Sequence, residues 1–154
     1  MDAVRRSLVN RCAQAGALAL ALAGGLLKPV LALAAEWNKL AFDAGSIAEA
    51  LKQSGAIGAF ESPDLLLKVQ EHAENGAVVQ LEVSSRIPGT TSIAIFVEKN
   101  PRPLVADVNF VNGAEPYIFL VTKMAETSRI RAVARAGGKS YFTVREVSVT
   151  TSGC

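Results

Sequence analysis

Cysteine is the residue of this chain with the most chemistry to offer, and there are two, Cys12 and Cys154. A thiol reacts as its thiolate, with a reference pKa of about 8.5. Cys154 closes the sequence after Thr150, Thr151, Ser152 and Gly153, a run with no apolar residue and only short side chains. As the last residue it carries the α-carboxylate on the same Cα, and that charge disfavours a second one on sulfur. The thiol is therefore expected to be a sluggish nucleophile until another protein's site activates it. Extended chain spans at most about 3.6 Å per residue, so the five residues from Thr150 carry the sulfur up to roughly 18 Å beyond the folded body. A thiol on so thin a probe can enter a narrow channel in a second protein while the domain stays outside. Two uses fit this: a reactive attachment point, or a disulfide to another chain.

The rest of the inventory is thin. His72 is the only histidine and lies between Glu71 and Glu74, which reads as a surface loop. It leaves no histidine-rich metal site, and a Cys-His dyad only if the tail folds back. No Cys-x-x-Cys is present, so a thioredoxin-type oxidoreductase would lack its second thiol. Arg129, Arg131 and Arg135 form a local basic cluster on one segment. Alternation alone predicts polar residues on a solvated strand face. The functional reading is a stripe that attracts anions or faces a partner close to the tail.

Residues 1–34 have the form of an export signal. Arg5 and Arg6 supply a positive start, an apolar stretch runs from Ala13 to Leu27, and Ala32-Leu33-Ala34 gives a small-x-small cleavage site. Gly24, Gly25, Lys28 and Pro29 interrupt the stretch, which argues against a permanent anchor. Arg5-Arg6-Ser7-Leu8-Val9 matches a twin-arginine signal in part. Cleavage before Ala35 takes Cys12 away and leaves Cys154 as the sole thiol in an oxidising compartment, the periplasm, where exported proteins ordinarily pair theirs. It also removes four basic residues and one acid, so the formal net charge of +2 becomes about −1. No global basic field of the kind nucleic-acid binders use is left, and membrane contact is expected only through the signal.

The elements that must position the tail follow from periodicity. A short helix is expected where Phe42, Ile47 and Leu51 share a face, with Ser46 as cap, Glu49 three residues on, and Gly55 as stop. From Asp64 the period is two. Val79, Leu81 and Val83 alternate with polar residues, and Ile93, Ile95 and Val97 follow the turn at Pro88-Gly89. Leu104, Ala106, Val108 and Phe110 continue the pattern, and Ile130, Ala132 and Ala134 alternate with the arginines. Tyr117 to Met124 is apolar on both faces, as in a central strand or one covered by a partner. Gly137-Gly138 is a two-residue hairpin turn into a last strand from Lys139. There Phe142 and Val144 share one face and Val147 and Val149 the other, which a bulge near Glu146 would reconcile. About seven short strands favour an all-β, immunoglobulin-like antiparallel β-sandwich. The expected layout is a signal over 1–34, the sandwich with its short N-terminal helix over 35–149, and a flexible C-terminal arm over 150–154.

Several segments taken together resemble the SoxY family, the cysteine-bearing subunit of the SoxYZ carrier of thiosulfate oxidation. They are Ala73-Glu74-Asn75-Gly76-Ala77-Val78-Val79, Val97-Glu98-Lys99-Asn100-Pro101-Arg102-Pro103-Leu104, Lys123-Met124-Ala125-Glu126-Thr127-Ser128, and Val147-Ser148-Val149-Thr150 before a terminal cysteine. The resemblance implies an immunoglobulin-like sandwich in a heterodimer with a SoxZ-like subunit that is exported with it. It implies that the chain binds no cofactor and is not itself an enzyme, and that Cys154 holds sulfur intermediates as a thiosulfonate or persulfide. Swinging on residues 150–153, Cys154 would be served by a c-type haem enzyme, a thiosulfohydrolase and, in some organisms, a molybdenum sulfane dehydrogenase. The family arm usually reads Gly-Gly-Cys-Gly-Gly, whereas Ser152-Gly153-Cys154 stands here. That shortening supports an alternative, a variant or non-carrier sandwich serving as a binding or assembly module.

Overall fold

The computed structural model describes residues 38–150. The expected signal, Cys12, and the arm residues Thr151, Ser152, Gly153 and Cys154 lie outside the described residues.

The helical stretch is two helices rather than the one expected, α1 (Lys39–Asp43) and α2 (Ile47–Gln53). Ser46 must be extended to cap α2, with φ −142° and ψ 151°, so the chain cannot run helical through it. Its Oγ accepts from Glu49 N at 3.3 Å, the cap that the sequence predicts. Asn38 caps α1 through Ala41 N and donates from Nδ2 to Gln53 O at 2.8 Å, tying the two helices together. Gly55, at φ +67°, ends the segment in the conformation a side chain disfavours.

Nine strands follow: β1 (Phe60–Glu61), β2 (Leu65–Val69), β3 (His72–Ala73), β4 (Val79–Ser85), β5 (Thr90–Val97), β6 (Leu104–Asn109), β7 (Tyr117–Thr122), β8 (Ser128–Ala136) and β9 (Lys139–Val149). They form two sheets, one ordered β1-β9-β8-β5-β6 with β3 also on β9, the other β2-β4-β7. The main core lies between them, where Leu65, Leu67, Val79, Leu81 and Val83 meet Ile93, Ile95, Val97, Ile130 and Val147. Each such side chain contributes about 1.5–3 kcal/mol relative to exposure. The long strands pair antiparallel, as expected of the all-β sandwich. The two-residue strands β1 and β3 add parallel pairings along one edge of β9.

The larger sheet is apolar on both faces. Ala94, Phe96, Val133 and Leu104 form a second cluster with Ala41, Ala44 and Ala50, against which Phe42, Ile47, Leu51 and Phe142 pack. This explains β9 without the expected bulge. Its register with β8 is unbroken from Ser128↔Val147 to Ala136↔Lys139. Phe142 serves the helix-covered face and Val147 the inter-sheet face, so the change of side is a change of core. The irregularity lies instead between β5 and β6, where Ile95 pairs Ala106 and Phe96 pairs Leu104. The extra residue, Val105, turns Leu104 away from Ala106 and Val108 and toward the helices.

The hairpin-turn reading holds. Gly137 and Gly138 both have positive φ between the paired Ala136 and Lys139, the twist a two-residue hairpin needs. The stretch around Tyr117 is not a central strand, because β7 is the edge of its sheet. Its Tyr117, Phe119 and Val121 are about half exposed, at 48%, 55% and 51%.

Candidate functional site

β9 ends at Val149, where the expected arm 150–154 begins, and four interactions fix that point. Ser148 N donates to Glu71 O at 2.8 Å and Thr150 N to Ala73 O at 3.0 Å, so β3 flanks the last residues of β9. Thr127 Oγ1 accepts from Val149 N at 2.9 Å. Met124 N donates to Gly76 O at 2.7 Å, bringing the segment after β7 against the segment after β3. Gly76 is obligatory here because a Cβ would collide with the Met124 carbonyl and stand 2.8 Å from Val149 Cγ1. Asn100 locks the same corner, donating to Lys123 O at 2.7 Å and accepting from Ala125 N at 3.1 Å.

Several of these residues line an open cavity of about 730 Å³ at the end of β9. Met124, Val149, Pro101, Ala77 and Ala125 give it a largely apolar wall, Glu74 and Lys123 add one charge of each sign, and Thr150 stands at its margin. The sequence offered little warning of this corner. Asn100 next to Pro101 reads as an ordinary turn, and nothing local in Gly76 or Thr127 announces contacts with β9, 73 and 22 residues away in the chain.

The arginines lie on the helix-covered face of β8, each within reach of an acid. Glu98 takes both Arg129, from Nε at 2.9 Å and Nη2 at 2.8 Å, and Arg131, from Nε at 3.0 Å and Nη2 at 2.8 Å. Arg131 also stacks over Phe142, its guanidinium carbon 5.0 Å from the ring centre. Arg135 binds Ser92 Oγ at 3.0 Å and the Ser54 carbonyl, with Asp107 Oδ2 at 3.8 Å. The three cations thus face two carboxylates of the same chain, and only Arg129 keeps more than half of its side chain in solvent. Burial pushes the Asp107 carboxyl above its ordinary range, with Arg135 pulling the other way. Its Oδ1 is buried with no hydrogen-bond partner among the described residues.

His72 is exposed, as expected, but it lies in β3 rather than a loop, paired with Ser148 two residues before the arm. Among the described residues no three His, Cys, Asp or Glu side chains stand together as a metal site, and no helix is long and apolar enough to cross a membrane. The structure therefore brings His72, Gly76, Lys123 and Thr127 to the root of the arm and keeps the arginines on the other face of the sheet. Cys154 itself lies beyond the described residues.

Comparison with known proteins agrees with this picture. The model of the family described as sulfur oxidation protein SoxY matches residues 51–154. Among solved structures, the sulfur carrier protein SoxY from Chlorobium limicola f thiosulfatophilum is similar at 38% identity and a TM-score of 0.63, over 73% of this chain and 99% of that one. A superoxide reductase (neelaredoxin) from Ignicoccus hospitalis is similar at 16% identity and a TM-score of 0.48, over 68% of this chain and 93% of that one. That likeness is too low to bear on fold or function. No curated protein sequence matches the chain.

Proposed function

The chain belongs to the SoxY family, and on that premise we propose that it is a periplasmic sulfur carrier, not an enzyme, whose attachment point is Cys154. The observation that carries the reading is a strand, β9, clamped to its last residue and followed in the sequence by a short run of small residues leading to Cys154.

The chemistry asked of Cys154 is simple. A haem enzyme joins its thiolate to the sulfane sulfur of thiosulfate, forming one S–S bond and removing two electrons, to give a thiosulfonate. A thiosulfohydrolase then breaks the bond between sulfane sulfur and the sulfonate group. Water supplies the fourth oxygen of the released sulfate, and a persulfide stays on Cys154. Further oxidation of that sulfur falls to a molybdenum sulfane dehydrogenase where one is present. The chain's own part is to hold the adduct covalently at the end of residues 150–153.

A SoxZ-like subunit is the proposed partner in a heterodimer. The family and the half-exposed row of Tyr117, Phe119 and Val121 on an edge strand support it, because exposed apolar edges are ordinarily covered. Export with that partner follows from the partial twin-arginine pattern at Arg5-Arg6. The mature protein is expected to begin at Ala35, which N-terminal sequencing checks.

Intact mass of the purified heterodimer, incubated with thiosulfate and the haem enzyme, tests the carrier reading. Addition of a thiosulfonate to Cys154 is expected, and an unmodified chain under turnover would sink it. The second reading, a binding or assembly module, is favoured by the shortened Ser152-Gly153-Cys154 terminus. Cys154→Ser separates the two: growth on thiosulfate stops for a carrier and continues for a module.

A further inference from the structure

We infer that Trp37, the residue just ahead of the first described one, packs its indole on Phe42 and so closes the helical cover of the larger sheet. The position follows from the cap. Asn38 is the N-cap of α1, its Oδ1 accepting from Ala41 N at 3.2 Å. Trp37 is then the residue before the cap and Phe42 the fourth residue of the helix. An apolar pair at these two places is the hydrophobic staple, which fixes the angle at which a chain enters its helix. The two helices divide the two N-terminal devices between them. α2 has Glu49 three residues after its Ser46 cap but Gly45 ahead of it, the residue types of a capping box without a staple. α1 has Ala41 where Glu49 stands in α2, so only the apolar pair is open to it.

The cover needs such a residue. Helices of five and seven residues do not stand alone in water and depend on tertiary packing. Yet the fully buried residues of this stretch are alanines, Ala41, Ala44 and Ala50, while Phe42, Ile47 and Leu51 are only partly buried. Trp37 is the chain's only tryptophan and would add about 150–250 Å² of buried surface to this cluster. It starts from a fixed point. Consecutive Cα atoms are about 3.8 Å apart, and Asn38 is pinned to α2, its Nδ2 donating to Gln53 O at 2.8 Å beside the Ser54 carbonyl that takes Arg135. Leu40, about 200° around the helix from Phe42, is 68% exposed and marks the side that the staple leaves to solvent. The expected start of the mature chain, Ala35, lies two residues before Trp37, so signal removal would keep the staple, whereas trimming three residues further would delete it.

Because Trp37 is the single tryptophan, its selectively excited emission in the purified chain reports on it alone. The expected spectrum is blue-shifted from that of the chain unfolded in urea, with nuclear Overhauser contacts between the indole and the Phe42 ring. Phe42→Ala should move the emission most of the way to the unfolded position while the far-ultraviolet dichroism of the sheets is retained. Phe42→Leu should hold it, and Leu40→Ser should leave it unchanged. A chain beginning at Asn38 should unfold several degrees below one beginning at Ala35 and exchange the Ala41 and Ala50 amides faster, with those of Ile93 and Ile95 little altered. Emission at the unfolded position in the intact chain overturns the inference, as do equal unfolding temperatures for the two chains. A shift caused by Leu40→Ser in place of Phe42→Ala also overturns it, since the indole then packs on the other side of α1. Should Phe42→Ala fail to fold, the Overhauser contacts of the wild type decide, and their absence overturns the staple. None of these readings involves Cys154, so the carrier reading stands or falls separately.

Discussion

At Asp107 the fold sets a carboxylate against its own solvation. Burial raises its pKa above the ordinary 3.8 and Arg135, 3.8 Å away, offsets that only in part. The folded state therefore binds a proton more readily than the unfolded chain. The contribution to stability is full below the unfolded pKa and is lost as pH rises through the folded one. Asp107→Asn should stabilise the protein at pH 7 and flatten the fall in stability on the alkaline side of the ordinary carboxylate range, read by thermal unfolding across pH. Glu98 is the opposite case. It satisfies Arg129 and Arg131 together and is 9% exposed, so Glu98→Gln leaves the half-buried Arg131 under-paired. A loss of about 1–3 kcal/mol is expected in denaturant titration. The arginines show what a sequence can and cannot disclose: alternation reveals that they share a face, but not that Glu98, some thirty residues earlier, neutralises two of them. Cys154 stood out for the opposite reason, since a thiol expected to be left alone once the signal is removed needs no partner to be conspicuous.

Strands were legible wherever their period was clean, and illegible where two cores competed. The alternations of β4, β5 and β8 follow directly from one buried face. In β9 the side chains divide between the inter-sheet core and the helix-covered cluster, which in one dimension imitates a bulge. The two-residue strands β1 and β3 are too short to show any period, yet β3 is what holds the arm root. Gly76→Ala tests that hold. Overpacking against Met124 and Val149 should cost about 1–3 kcal/mol and speed hydrogen exchange at Val149 and Thr150, with the amides of β5 little changed. The edge strand β7 invites a different substitution. Phe119→Lys should raise the solubility of the isolated chain and weaken its co-purification with a SoxZ-like subunit, because a charge on an apolar edge opposes strand and face association.

As a whole, the described part is one sandwich with two kinds of cover on its larger sheet, the small sheet on one side and a pair of alanine-rich helices on the other. Among the described residues no binding cleft runs between the two sheets, and the chemistry proposed for the protein belongs to a segment that follows the last strand. Cys154→Ser should leave the unfolding temperature within about a degree, since both cores are formed by residues that precede the arm, while abolishing every mass adduct seen with thiosulfate. The arm is a reading of residues 150–154 in the sequence. The corner at its root was not legible there, because it is assembled from four segments far apart in the chain.

β9 has eleven residues and is paired with β8 from Lys139 to Val147, with β1 and β3 on its other edge. An enzyme that grips the cysteine and recoils pulls on this strand from its C-terminal end, along its own axis. Hydrogen bonds loaded in that direction resist together, in shear, instead of peeling open one after another. On the carrier reading, a pull on Cys154 would load β9 in this way, and the tether should give way in the enzyme's grip before the strand leaves the sheet.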